Sequence, residues 1–260
     1  MTKTALEAFF DNLYLRLGSE SQDDARPFVC YGNPTLCSVF IVGFNPANNV
    51  PLDGEIWHKE TGFNLELFYN KYSEERARRD AFCKQENKKR STGVEFTKLE
   101  PRRSINPAFP CKLGRTRASI EALSAAIERE LEGYEKPGVL ETNIYWQATA
   151  NIREFRKKFG DGDKGASLRF LINELNPLVI LCHGNDAEQF FRADENRDLT
   201  ERRALVVIGR EGAWPEGEDK PRCNHLSRFP RKKSNGKFLK AVVTEVVKRH
   251  KTRRGAFAKI

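Results

Sequence analysis

A chain of 260 residues, 39% of them hydrophobic, is long enough to bury one sizeable core, and it reads as a single domain over 1–260. Its formal charge of +9 comes from 45 Lys and Arg interleaved with 36 Asp and Glu, which marks a basic face and a polyanionic partner, nucleic acid ahead of membrane. Composition also excludes several classes: no run nears the ~18 apolar residues of a membrane span, and six scattered cysteines without a C-x-x-C pair, with only four histidines, argue against a disulfide framework and against zinc or iron–sulfur sites.

Leu6, Phe9, Phe10, Leu13 and Leu17 recur at helical spacing and Gly18 follows, so the chain opens with an amphipathic helix that covers a sheet. After a polar connector, Phe28 to Cys30 is a candidate for a short extra strand before the turn Gly32-Asn33-Pro34. Val39 to Val42 are β-branched or aromatic without interruption, as in a strand buried on both faces of a parallel sheet, and the run ends in Gly43-Phe44-Asn45-Pro46. Ligands of open α/β sheets bind outside the carboxyl ends of the strands, which puts Asn45 at the mouth of a site; an ordinary strand-to-loop transition is the plainer alternative.

The next stretch is aromatic, and Trp57 or Phe63 offers a ring for a planar ligand to stack on, or else aromatic core beneath the loop. Leu65, Leu67, Phe68 and Tyr72 then recur at helical spacing. From Arg76 to Arg103 Lys and Arg crowd into a segment poor in apolar residues, a basic insertion of about 76–110 that is either a backbone-contacting flap or a solvated charge run. Thr116 is placed to cap a helix carrying Ile120, Leu123, Ile127 and Leu131, and Arg115 and Arg117 beside that N-terminus make a phosphate seat.

Gly138 to Trp146 is the second strand, with Thr142 and Asn143 where its carboxyl end should fall. A helix over Ala166–Leu175 is stopped by Asn176-Pro177, Leu178–Cys182 is a third buried strand, and His183-Gly184-Asn185-Asp186 opens a helix with Phe190 and Phe191. Ala204–Ile208 is the fourth strand; a Gly- and acid-rich loop then delivers His225-Leu226-Ser227-Arg228. Arg231, Lys232 and Lys233 precede a last helix built on Phe238, Leu239, Val242, Val243, Val246 and Val247, with a frayed basic tail over 251–260. The alternation gives a three-layer α/β/α sandwich around a short, mainly parallel four-stranded sheet.

Three polar clusters thus fall at carboxyl ends of strands: Asn45, Asn143 and the His225 loop. At these positions the sequence resembles the uracil-DNA glycosylase superfamily. Gly43-Phe44-Asn45-Pro46 is similar to the G-x-N-P first motif of its mismatch-specific thymine/uracil branch, and His225-Leu226-Ser227 to the second motif, usually H-P-S or N-P-S. Leu140-Glu141-Thr142-Asn143 resembles the strand whose terminal Asn reads the base, and Leu178 to Gly184 the apolar strand and Gly that open a helix. The likeness runs in order from about Val39 to Arg228.

The resemblance implies a monofunctional DNA glycosylase, a base-excision hydrolase that flips a uracil-like or modified base from double- or single-stranded DNA and needs no cofactor or metal. Asn45 and His225 would be catalytic, Asn45 holding the water and His225 donating to a base carbonyl. Phe44, Phe63, Trp57 and Asn143 would bind the base. Arg115, Arg117, Ser227 and Arg228 would grip the backbone, and Leu226 would wedge the emptied stack. A cytoplasmic monomer with no membrane contact is expected. A non-catalytic nucleic-acid sensor on the same fold stays open, since Asn45 stands where related enzymes carry a carboxylate. A dinucleotide- or nucleotide-binding enzyme lacks its glycine motif after any strand.

Overall fold

In the computed structural model, which describes residues 3–17, 25–44, 46, 54–74, 97–98, 112–113, 115–147, 149, 152–160, 164–210, 212–217, 225–226 and 235–257, the first element is α1 (Ala5–Leu17). Its start is fixed by reciprocal bonds, Glu7 N–H donating to Thr4 Oγ1 at 3.2 Å and Thr4 N–H to Glu7 Oε2 at 2.7 Å, and it buries Leu6, Phe9, Phe10, Leu13 and Leu17. Next come β1 (Phe28–Val29), β2 (Cys37–Gly43), the hairpin β3 (Trp57–His58) and β4 (Gly62–Phe63), and a helix α2 over 65–74. β5 (Thr97–Lys98) pairs with β6 (Lys112–Leu113), ahead of α3 (Arg115–Glu130), β7 (Gly138–Asn143), α4 (Ile152–Phe159) and α5 (Ala166–Leu175). The chain closes with β8 (Val179–Cys182), α6 (Asn185–Arg192), α7 (Arg197–Glu201), β9 (Ala204–Val207) and α8 (Asn235–Phe257).

The sheet has five strands in the order β1-β7-β2-β8-β9. β7, β2, β8 and β9 run parallel, with Phe40 level with Leu140 and Ile180. The four-stranded expectation missed the edge: β1 adds an antiparallel fifth strand, Phe28 opposite Thr142 and Val29 opposite Glu141. Because side chains alternate along a strand, Phe40, Val42, Leu140 and Ile180 join one apolar cluster with α1 and α5. Val39, Ile41, Val139 and Leu181 join a second with α3 and α8. Helices therefore pack on both faces, and β2 and β8 are buried on both sides, which is why Val39–Val42 and Val179–Cys182 read as unbroken apolar runs.

Two boundaries differ from the sequence reading. Thr116 lies inside α3, which begins at Arg115, so it is not the cap. α8 continues through Phe257 instead of fraying from Lys251, and Arg253 donates to the Arg203 carbonyl at 3.2 Å, tying that turn to the start of β9. The helix α5 ends as expected, with Asn176 in the left-handed region (φ 46°) ahead of Pro177. Of the basic insertion, only Thr97–Lys98 falls within the described residues. Among the described residues no helix is long and apolar enough to cross a membrane.

Candidate functional site

The parallel register brings the ends of three strands level. Gly43 of β2 lies opposite Asn143 of β7, and His183, the residue after β8, donates its backbone N–H to the Val42 carbonyl at 3.0 Å. Gly43 is where the two side chains meet: a Cβ there would stand 2.8 Å from Asn143 Oδ1 and 2.8 Å from His183 Nε2, so only glycine lets both converge. The half-buried His225 ring lies edge-on to His183, centroids 4.9 Å apart at 76°. Asn143, His183 and His225 thus form one polar cluster at the carboxyl end of the sheet, where open α/β sheets bind ligands.

The rim beside this cluster is backbone-bonded beyond the strands. Ile144 N–H donates to Gly43 O and Tyr145 N–H to Phe44 O, both at 3.0 Å, and Thr149 N–H to Pro46 O at 3.1 Å. The Phe44 ring packs edge-on to Tyr145 (5.1 Å) and to Phe155 of α4 (5.5 Å). Phe155 is buried, whereas Arg153, Arg156, Lys157 and Lys158 on the rest of α4 are exposed, so a basic helix face borders the rim.

Several expected site residues are elsewhere. Trp57 and Phe63 face each other across the β3–β4 hairpin with rings 5.4 Å apart, and Phe63 also packs on Phe28 and Phe68. At 0% and 3% exposure they are core, and offer no free face for stacking. Leu226 is 1% exposed, in the apolar cluster that includes the α8 valines, and so is core and does not project as a wedge. Arg117 is buried in an ion pair with Glu141 of β7, with Glu121 at 3.5 Å, and Arg26 reaches the same Glu141 at 3.4 Å. A carboxylate already occupies the seat assigned to phosphate. Burial alone would lower the Arg117 guanidinium, but Glu141 outweighs it and holds Arg117 above its ordinary range; Arg26, where burial wins, is pushed down to about 10. Asn45, Ser227, Arg228 and the Arg115 side chain lie outside the described residues.

His183 is the site residue that sequence reasoning missed. The available signal was a histidine, followed by glycine, at the end of an otherwise apolar strand. It is buried, its Nδ1 has no hydrogen-bond partner among the described residues, and burial, then His225 and Arg117, push its pKa down to about 3. A second buried imidazole, His250 of α8, meets Ser38 Oγ at 2.9 Å while that hydroxyl donates to Lys136 O at 2.6 Å; burial and then Arg254 and Lys251 lower it too.

Both groups bind protons more readily unfolded than folded, so their contribution is complete above about pH 6.5 and is lost as pH falls. For His183 the window runs from 6.5 down to about 3. Denaturant unfolding is expected to show stability lower at pH 5 than at pH 7 by about 2 kcal/mol from His183 alone. His183→Leu should remove that share, and an identical pH dependence in the two proteins would contradict it.

Among the described residues no group of three or more His, Cys, Asp or Glu is arranged to hold a metal ion. Compared with protein-family models, curated proteins and solved structures, the chain matches none.

Proposed function

We propose that the protein is a DNA glycosylase on a three-layer α/β/α sandwich, extruding a uracil-like or modified base from DNA and hydrolysing its N-glycosidic bond. The observation that carries this reading is the convergence of Asn143 and His183 over Gly43 at the carboxyl ends of parallel strands, with the His225 ring edge-on to His183. The order of the G-F-N-P and H-L-S runs along the chain supports it.

The scissile bond lies inside the base stack, so the nucleotide must first be turned out, at a cost of a few kcal/mol. As the bond breaks, positive charge grows on the sugar and negative charge on the base. An N–H of His225 donates to a base carbonyl while that charge develops, a preorganised donor of the oxyanion-hole kind. Asn45 orients water toward C1′ without acting as a base, because an amide takes no proton near neutral pH. The water's oxygen bonds to C1′, and its proton balances the departing base. The Asn143 amide, donor and acceptor in one group, reads the pyrimidine edge.

The exposed Arg153, Arg156, Lys157 and Lys158 give α4 a face suited to phosphates beside the rim of that cluster. Duplex binding should therefore fall steeply with salt, and each cation removed from the interface should flatten the log–log slope by about 0.9. Binding that holds constant from low to physiological salt, or an unchanged slope in Arg153→Ala/Lys157→Ala/Lys158→Ala, would count against α4 as a DNA surface.

The deciding experiment incubates the protein with duplexes carrying uracil, mismatched thymine or other altered bases, followed by alkali. Strand breaks at the altered position are expected; binding without breaks on every duplex would replace the enzyme with a sensor on the same fold.

A further inference from the structure

β8 ends in the apolar run Val179–Cys182, and the next buried position is a histidine where packing alone would be served by leucine. His183 is 6% exposed, and its Nδ1 meets no hydrogen-bond partner among the described residues. An unpaired buried polar atom costs stability, so the imidazole is not explained by the fold. Its other nitrogen faces the site: Nε2 and Asn143 Oδ1 each lie 2.8 Å from the single point that a side chain on Gly43 would fill. Removing that side chain is what sets the imidazole and the amide side by side.

The ring carries one proton, since burial and the neighbouring His225 and Arg117 keep it neutral. A buried N–H without an acceptor is a rarer and costlier arrangement than a buried bare acceptor. The proton therefore belongs on Nε2, leaving Nδ1 as the lone pair, and the cluster gains a neutral N–H donor next to an amide that supplies one donor and one acceptor.

We propose that His183 is a base-reading residue, its Nε2–H completing with the Asn143 amide a donor–acceptor–donor wall that selects bases with an imide edge. This inference rests on the glycosylase reading and specifies its substrate class. An imide edge presents carbonyl, N–H and carbonyl, the complement of that wall. A cytosine-type edge presents an amine and a bare ring nitrogen, so it sets donor against donor and acceptor against acceptor. The carbonyl nearest the glycosidic bond has two lone pairs, so His183 can hold it in the resting complex while His225, 4.9 Å away, donates as charge develops.

The test compares the wild-type chain with His183→Leu, His183→Asn and His183→Gln. Glutamine carries an amide nitrogen about where imidazole Nε2 sits, and asparagine about where Nδ1 sits. The readouts are calorimetric binding of free uracil and free cytosine, single-turnover uracil release, affinity for a duplex with a stable abasic-site analogue, and thermal unfolding. Leucine and asparagine are expected to weaken uracil binding and slow its release by roughly 10- to 100-fold, with glutamine recovering most of the loss. Abasic-duplex affinity should be unchanged, and the unfolding temperature of the leucine variant unchanged or higher. Wild-type behaviour of His183→Leu would overturn the inference while leaving the glycosylase reading in place. Equal loss in all three variants with lowered unfolding temperatures would make His183 a packing residue and overturn it as well. A wild-type chain that binds no free base and releases none would overturn both.

Discussion

His225→Ala is expected to slow single-turnover base release by a factor on the order of 10² to 10³, the usual cost of losing one preorganised donor to a developing anion. Duplex affinity should hardly change, because Leu226 beside it stays buried in the apolar cluster that includes the α8 valines. The half-buried ring can leave without opening the core. The discriminating pattern is a fall in the chemical step with binding preserved. Parallel losses in binding and cleavage would show that His225 shapes the surface and takes no part in bond breaking.

Glu141→Ala is expected to destabilise the fold by roughly 3–5 kcal/mol, because it takes the shared carboxylate from two buried guanidiniums, of which Arg117 keeps, among the described carboxylates, only Glu121 at 3.5 Å. Arg26, Arg117 and Glu141 are all under a tenth exposed. Arg117 and Glu141 bridge α3 to β7, and Arg26 ties the segment before β1 to the same strand. The useful control is Asp198→Asn, which breaks an exposed pair with Arg169 (2.9 Å) and should shift the denaturant midpoint far less. Replacing the triad together with apolar residues of matching volume should recover most of the loss, since the cost lies in the uncompensated charge. Equal midpoints for Glu141→Ala and Asp198→Asn would show that water already reaches the network.

The parallel strands β2, β8 and β9 were legible because burial on both faces leaves a mark that a single sequence can carry: Val39–Val42, Val179–Cys182 and Ala204–Val207 have no polar interruption. The two-residue edge strand Phe28–Val29 was barely so, because so short a run has no period to detect. Asn143 and His225 were singled out by position alone, one at the end of a strand and the other following the last strand. Trp57 and Phe63 were misplaced because an aromatic ring in a core and one under a ligand obey the same local pattern, and only the fold shows Phe28 and Phe68 packing on Phe63, and Phe63 on Trp57. Arg117 failed for a related reason. At a helix start it looks like an anion seat, and its true partner, Glu141, is 24 residues away in sequence. His183 was passed over because it follows an apolar strand, and the meaning of a buried histidine depends on which glycine it faces.

The bonds from Ile144, Tyr145 and Thr149 to the carbonyls of Gly43, Phe44 and Pro46 stitch two connecting segments into one lip. Neither segment can hinge alone without shearing the other's backbone, and Phe44, Tyr145 and Phe155 brace the seam from the side. At these three bonds a movement of one strand end has to carry the other with it. On the proposed reading, a change of substrate would therefore be made through the side chains beside this seam and not by parting it.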